Sequence, residues 1–322
     1  MTPPDPAPPA PTTPGRPYVA GSLTVHRDPA TLTQISRALR STGKRVVLVP
    51  TMGALHAGHR ELIRAAKAQG PTVVIVSIFV NPLQFGVGED LDAYPRTFDA
   101  DRAICEEMGV ELLFAPTAAD MYPNGPRTTV HPGPAGADLE AASRPTHFAG
   151  MLTVVAKLLA IAAPHAAYFG EKDYQQLVLV RQMVTDLNLD IAIVGVPTVR
   201  EPDGLAMSSR NRYLTPAQRE SATALSAALV AGAYAAAGGV EAILSTARGV
   251  LAERPDIDVD YLEVRGVDLG PPPEHGDGRL LVAARVGTTR LLDNVGVAVG
   301  TGFLNRGSGD PDTVSADHPE GH

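Results

Sequence analysis

The sequence predicts an α/β protein, a Rossmann-like doubly wound parallel sheet followed by a smaller C-terminal α+β domain, and three observations carry that prediction. First, the apolar runs at residues 45–49 and 72–79 are continuous, as strands buried on both faces require, and the stretch between them at 60–68 is helical. This is strand, helix and strand within the length of one crossover. Second, the alternation repeats as far as residue 194, which implies a parallel sheet with helices on both faces. Third, the style changes near residue 200 to Ala-rich helices and then alternating strands, as a separate α+β unit would show.

In chain order, residues 1–17 are Pro-rich, with neither the basic start nor the apolar core of a secretory signal, and are expected to form a disordered leader. The larger domain, 18–199, carries helices at 30–40, 60–68, 99–108, 148–161 and 173–187, and strands at 45–49, 72–79, 111–114, 166–169 and 191–194. Residues 116–145, dense in Pro and Gly, read as a loop covering a site or an interface. The smaller domain, 200–305, has helices at 216–237 and 240–253 and strands at 259–264, 280–286 and 290–295. Residues 306–322 are polar and Gly-rich, and a disordered tail is expected. The uncharged stretch 221–240 is mostly alanine, too weakly apolar to favour a membrane span over a packed helix; Leu225, Leu229 and Gly232 fall at helical spacing.

A chain of 322 residues is long enough for about two domains, and 44% hydrophobic with 19% charged residues is the balance of a globular protein. The net charge of −8 disfavours nucleic acid as a partner, so any phosphate chemistry must be local. Cys105 is the only cysteine, which excludes an internal disulfide and a multi-cysteine metal site and fits a reducing cytoplasm.

Three clusters carry chemistry. Met52-Gly53-Ala54-Leu55-His56-Ala57-Gly58-His59 directly follows the first long strand and opens a helix, where open α/β sheets bind ligands. Gly58 would let the backbone approach a phosphate, the helix N-terminus offers N–H donors, and the two imidazoles share one face. The same histidines could instead be metal ligands or satisfied polar groups at a helix start. Gly170-Glu171-Lys172-Asp173 sits at another strand end: Gly170 permits a tight turn, Lys172 can neutralise phosphate, and Asp173 can cap the helix and accept from ribose hydroxyls. Alone it is also a common solvated turn. Met207-Ser208-Ser209-Arg210 places hydroxyls and a guanidinium in a loop at the domain junction, suited to folding over a triphosphate. A Walker A loop and a complete G-x-G-x-x-G are both absent.

His-x-Gly-His followed much later by Met-Ser-Ser-Arg resembles the nucleotidyltransferase superfamily. Within it, the strings at 49–59, 78–85, 92–96, 144–150, 169–176 and 203–213 resemble the pantothenate synthetase family, in that family's order and over about residues 22–300. The resemblance implies ATP-dependent condensation of pantoate with β-alanine through a pantoyl-adenylate, releasing AMP and pyrophosphate. It implies that Met52 to His59, Gly170 to Asp173, Val199 and Met207 to Arg210 line the ATP site. His59, His56, Lys172, Ser208, Ser209 and Arg210 would be catalytic, and Gln84 and Gln176 would hold pantoate. Magnesium is implied as a rider on the ATP phosphates, with no protein ligand assigned, because Asp99 and Asp101 here flank Ala100 where some relatives have an acidic run. A cytoplasmic homodimer without nucleic-acid or membrane partners is also implied. The competing readings are another activity of the superfamily and a catalytically idle nucleotide-binding protein.

Overall fold

The computed structural model describes residues 18–301, apart from Val87 and Asp90, so the expected leader at 1–17 and tail at 306–322 lie outside the described residues. The larger sheet contains β1 (Thr24–His26), β2 (Arg45–Thr51), β3 (Thr72–Ile78), β4 (Leu112–Phe114), β5 (Ala166–Gly170) and β6 (Ala192–Val196). All pairs are parallel, in the order β1-β4-β3-β2-β5-β6. Its helices are α1 (Pro29–Ser41), α2 (Ala57–Lys67), α3 (Phe98–Glu107), α4 (Ala118–Met121), α5 (Glu140–Ser143), α6 (His147–Ala162) and α7 (Tyr174–Asp186).

The unbroken apolar character of β2 has its reason in this arrangement. Val46 and Leu48 pack with Leu32 of α1, Leu152 of α6 and Leu177 of α7, whereas Val47 and Val49 pack on the opposite face with Ile63 of α2 and Cys105 of α3. Successive side chains thus enter two different cores. Burial pushes the Cys105 thiol up to about 12, so it stays protonated and inert. From β2 the chain winds outward through β3 and β4, then returns to place β5 on the other side of β2. The switch point, where ligands settle in such sheets, therefore lies between the carboxyl ends of β2 and β5.

Two features differ from the sequence expectation. The edge strand β1 is only three residues long and gains its identity from pairing with β4, too little for a periodic signal. The segment 116–145 is not bare loop: it includes α4 and α5 and is tied down by Gln175, whose amide accepts from Glu140 N at 3.0 Å and donates to Ala135 O and Asp138 O at 2.8 and 3.0 Å.

The second unit has α8 (Pro216–Tyr234) and α9 (Gly239–Ala252) packed on an antiparallel sheet of β7 (Ile257–Gly266), β8 (Gly276–Val286) and β9 (Thr289–Val299). Residues Pro216–Ala252 together are long and apolar enough to cross a membrane by length and composition. In the fold they double back at Gly239, whose φ of +80° glycine accommodates without strain, and Leu225 and Leu229 are buried against the sheet. The units are clasped by Arg290 of β9, which grips the Glu140 carboxylate at 2.6 and 2.9 Å while the Tyr261 hydroxyl donates to it at 2.9 Å.

Gly232 lets α8 approach closely: a Cβ there would lie 2.8 Å from Leu280 Cδ2 and 3.1 Å from Ile243 O. Gly232→Val is expected to separate α8 from α9 and cost about 1–3 kcal/mol by overpacking, read as a lower urea midpoint. An unchanged midpoint would mean that the contact is slack.

Candidate active site

A cleft of ≈ 1250 Å³, counting the part open to solvent, lies at the switch point, with the carboxyl ends of β2 and β5 as its floor. Of the residues singled out from sequence, it is lined by Met52, His56, Gly58 and His59, by Gly170, Lys172 and Asp173, by Val199 and Met207 to Arg210, and by Gln84 and Gln176. Gly53, Ala54, Leu55, Ala57 and Glu171 are not in its wall.

The reason lies in how the loop after β2 is held. Asp101 of α3 is 1% exposed, and its carboxylate accepts from Ala54 N at 3.0 Å, Leu55 N at 2.7 Å and Thr97 Oγ1 at 3.2 Å. Gly53 N donates to Thr51 Oγ1 at 3.1 Å. These amides serve the protein interior and have no donor left for a ligand. Positive φ at Gly53 and Ala54, +86° and +51°, turns the chain sharply enough to aim the next residues at the cleft.

His56 and His59 cap α2 reciprocally. Gly58 N donates to His56 Nδ1 at 3.1 Å, and His56 N donates to His59 Nδ1 at 3.2 Å. Since each Nδ1 accepts, each neutral ring carries its proton on Nε2. Burial holds both rings below their ordinary pKa, His59 at about 3 with the neighbouring His56 adding to the effect, and Lys172 depressing His56 further. The pair, with ring centroids 4.1 Å apart, is therefore two neutral N–H donors rather than two cations. Gly58 does not work as the sequence suggested. Its amide is taken by His56, whose ring lies 2.9 Å from where a Cβ would stand, so glycine makes room for the ring and not for a phosphate.

The turn after β5 also differs in detail. Gly170 has an ordinary φ of −73° with open space beside it, so its lack of a side chain widens the cleft without being needed for the turn. Asp173 makes no side-chain capping bond to α7. Its carboxylate stays half exposed, with Lys172 Nζ 3.5 Å away. Burial works to raise its pKa, and the charges of Lys172 and Arg210 outweigh burial and hold it low. Glu171 turns away to pair with Arg279 of β8 at 3.0 Å. The backbone carbonyls of Glu171 and Lys172 both accept from Asn294 Nδ2 of β9, at 3.0 and 2.9 Å, so the second unit sets the height of Lys172 in the cleft.

On the opposite wall, Met207 N donates to Val199 O at 2.9 Å, closing the 199–207 turn, and Ser208 Oγ caps the short helical turn Ser209–Tyr213 by accepting from Arg210 N at 3.3 Å. Arg200 anchors the turn by pairing with Asp293 at 2.6 and 3.0 Å, and Arg219 of α8 holds Glu201 and Asp203, each at 2.7 Å.

Gln84 is buried with its Oε1 accepting from Asn81 Nδ2 at 3.1 Å and its Nε2 3.1 Å from Met52 Sδ. Gly150 of α6 lies against the Leu83–Gln84 backbone, where any Cβ would collide. Gln176 makes no side-chain hydrogen bond among the described residues and faces the cleft, whereas its neighbour Gln175 anchors the 116–145 segment. A second chamber, ≈ 710 Å³ with its open part, adjoins the first and shares Met52, Gln84, Lys172, Asp173, Gln176 and Arg210 with it. Its own wall adds Arg144 and His147, which sequence reasoning quoted within a string without giving them a role. Asp101, Asn81 and Asn294 were likewise missed as positioning groups. Only Asp293-Asn294 left a local signal, a polar pair interrupting an apolar strand.

A family profile described as Pantoate-beta-alanine ligase matches residues 24–296. The chain is 75% identical over 299 residues to the pantothenate synthetase of Rhodococcus jostii (strain RHA1), covering 93% of this chain and 96% of that one. Among solved structures, the pantothenate synthetase of Thermus thermophilus superposes with TM-score 0.78 at 45% identity, over 84% of this chain and 98% of that one. A Francisella tularensis pantoate-beta-alanine ligase, complexed with beta-gamma ATP and beta-alanine, matches with TM-score 0.72 at 35% identity, over 85% and 97% of the two chains.

Removing the Asp101 carboxylate orphans two buried amides, so Asp101→Ala is expected to cost about 2–4 kcal/mol in urea unfolding, at about 1–3 kcal/mol per orphaned donor; a loss below about 1 kcal/mol would show that water replaces the carboxylate. His59 supplies a pH test. Folding depresses its pKa from 6.5 to about 3, so the unfolded chain takes up that proton first. The linked stability is complete above about pH 6.5 and drains as pH falls towards about 3. The gap in melting temperature between wild type and His59→Asn should therefore narrow between about pH 7 and about pH 4.5. A constant gap would mean that the ring is not held neutral.

Proposed function

The chain belongs to the pantoate–β-alanine ligase family, and from that membership we propose that it activates pantoate with ATP as a pantoyl-adenylate and then transfers the pantoyl group to β-alanine, releasing AMP and pyrophosphate. One observation supports this two-step reading above the others: two adjoining chambers share Met52, Gln84, Lys172, Asp173, Gln176 and Arg210. An adenylate made in the first can be attacked from the second without leaving the protein.

In the first step the pantoate carboxylate attacks the α-phosphorus and pyrophosphate leaves. Adenosine lies against Val199, with the Asp173 carboxylate accepting from the ribose hydroxyls. Gln84 and Gln176 hold pantoate, each amide able to donate to a carboxylate and accept from a hydroxyl. Lys172, Arg210, Ser208 and Ser209 stabilise the charge that develops on the phosphates, and His56 and His59 add Nε2–H donors that bring no positive charge of their own. In the second step the amine of β-alanine, its carboxylate drawn by Arg144 and Arg210, attacks the acyl carbon and expels AMP. Exclusion of water matters most here, because a hydrolysed adenylate is wasted.

Magnesium rides on the ATP phosphates. Asp101 is a poor ligand, since N–H and O–H donors already surround its carboxylate, and Asp99 is exposed. Among the described residues no group of three or more metal-binding side chains is gathered. We further take residues 18–199 as the nucleotide- and pantoate-binding domain, 200–305 as the smaller C-terminal α+β domain, and a cytoplasmic homodimer as the working form; the single cysteine supports the compartment and family resemblance the dimer.

Pantoate-dependent exchange of labelled pyrophosphate into ATP, run without β-alanine, isolates the first step. Lys172→Ala should slow it by on the order of 10² or more, as it removes a cation where charge develops. Gln84→Ala should raise the pantoate requirement while leaving ATP affinity nearly intact. Exchange at the wild-type rate in Lys172→Ala would reduce the lysine to a solvated turn residue. ADP and phosphate as products of the full reaction would overturn the adenylate.

A further inference from the structure

We propose that His147 is a catalytic residue of the second step, its Nε2 orienting the amine of β-alanine and taking the proton that this nitrogen must lose when the amide forms.

The geometry leaves the ring one arrangement. His147 Nδ1 lies 2.9 Å from Gln84 O, and a carbonyl can only accept, so the proton of the neutral ring sits on Nδ1 and Nε2 keeps a free lone pair. This tautomer is opposite to that of His56 and His59, whose Nδ1 atoms accept. Nε2 has no hydrogen-bond partner among the described residues and is not sealed from solvent, and the ring forms part of the wall of the second chamber. A lone pair is useless to a phosphate or a carboxylate. It suits an N–H or O–H donor, and among the donors the reaction brings, the β-alanine nitrogen is the one that must give up a proton in the second step.

The neighbours fit that task. Arg144, three residues earlier, also donates to Gln84 O at 3.2 Å and is held by Glu89 at 2.6 and 2.8 Å through Nε and Nη2, so its Nη1 edge is left to meet the substrate carboxylate beside an acceptor for its amine. Through Gln84 O, the ring is one residue removed from the side chain assigned to pantoate. Burial and the Arg144 charge hold the ring at about 4, against the weaker opposing pull of the Gln84 carbonyl, Glu89 and Glu140. It is therefore neutral when the amine arrives.

The step balances. β-Alanine reacts as its free amine, the ammonium proton having passed to water beforehand; the nitrogen lone pair then forms the C–N bond to the pantoyl carbonyl carbon, which leaves positive charge on nitrogen and makes its N–H acidic. Nε2 takes that proton, the bond from acyl carbon to phosphate oxygen breaks with its electron pair leaving on AMP, and the imidazolium passes its proton to water. The burial that keeps the ring neutral also returns it to the neutral form for the next turnover.

The proposal rests on the second chamber admitting β-alanine, and the test separates the two. In His147→Asn the amide NH₂ can replace the Nδ1–H donor to Gln84 O, but no basic nitrogen remains. Pyrophosphate exchange without β-alanine should stay within a few-fold of wild type, while single-turnover reaction of the enzyme-bound adenylate with β-alanine slows by on the order of 10² at little-changed half-saturation. Hydroxylamine, already uncharged near neutral pH and easily deprotonated, should capture the same adenylate at close to the wild-type rate. A β-alanine step as fast as wild type in His147→Asn, or equal slowing with hydroxylamine, would overturn the assignment and leave His147 as a strut for Gln84. If His147→Asn and His147→Ala alike raise the pantoate requirement, the role lies in pantoate binding and the proposal fails. A wild-type enzyme whose bound adenylate does not react with β-alanine would defeat the two-step reading itself.

Discussion

The site depends on one buried carboxylate. Asp101 gathers the amides of Ala54 and Leu55 and the hydroxyl of Thr97, and by doing so it fixes the path of the chain between the end of β2 and the start of α2. Everything the cleft presents on that side follows. The histidines must cap the helix through Nδ1, which leaves Nε2–H as the only ring donor facing outward. This wall of the cleft therefore presents neutral dipoles, with Lys172 and Arg210 lining the cleft beside them. Two imidazolium rings 4.1 Å apart would repel each other and break the cap, so neutrality is a structural requirement before it is a chemical one.

Much of this was legible in the sequence, and what was not has a physical reason. Strands such as β2 and β3 announce themselves because burial on both faces forces an unbroken apolar run. The strand-end motifs were found because glycine, histidine and lysine cluster locally there. Asp101 escaped because its partners lie 46 and 47 residues away, and nothing in an amphipathic helix marks one carboxylate as turned inward. The expectations for Gly58, Gly170 and Asp173 placed the right residues at the cleft for partly the wrong reasons: sequence shows that a position lacks a side chain or carries a charge, but not which neighbour uses the space. Arg144 and His147 show the same limit. Their chemistry depends on which ring nitrogen Gln84 O occupies, a fact of tertiary packing.

The two sheets divide the work. The parallel sheet supplies the floor and the switch point, and the antiparallel sheet supplies restraint: Arg290 grips Glu140, Arg200 reaches Asp293, and Arg279 pairs with Glu171 while lying 4.1 Å over the Tyr174 ring. A chain with net charge −8 in this way concentrates cations at one seam, where Arg200, Arg279 and Arg290 are each held by a carboxylate.

The bond from Asn294 to the carbonyls of Glu171 and Lys172 makes that seam an interlock. If the antiparallel sheet lifts away, the lysine loses its footing in the same motion that opens the chambers to bulk water. Any such movement would change two things at once, the footing of the Lys172 backbone and the closure of the cleft, because a single amide on the antiparallel sheet holds the turn that carries the lysine.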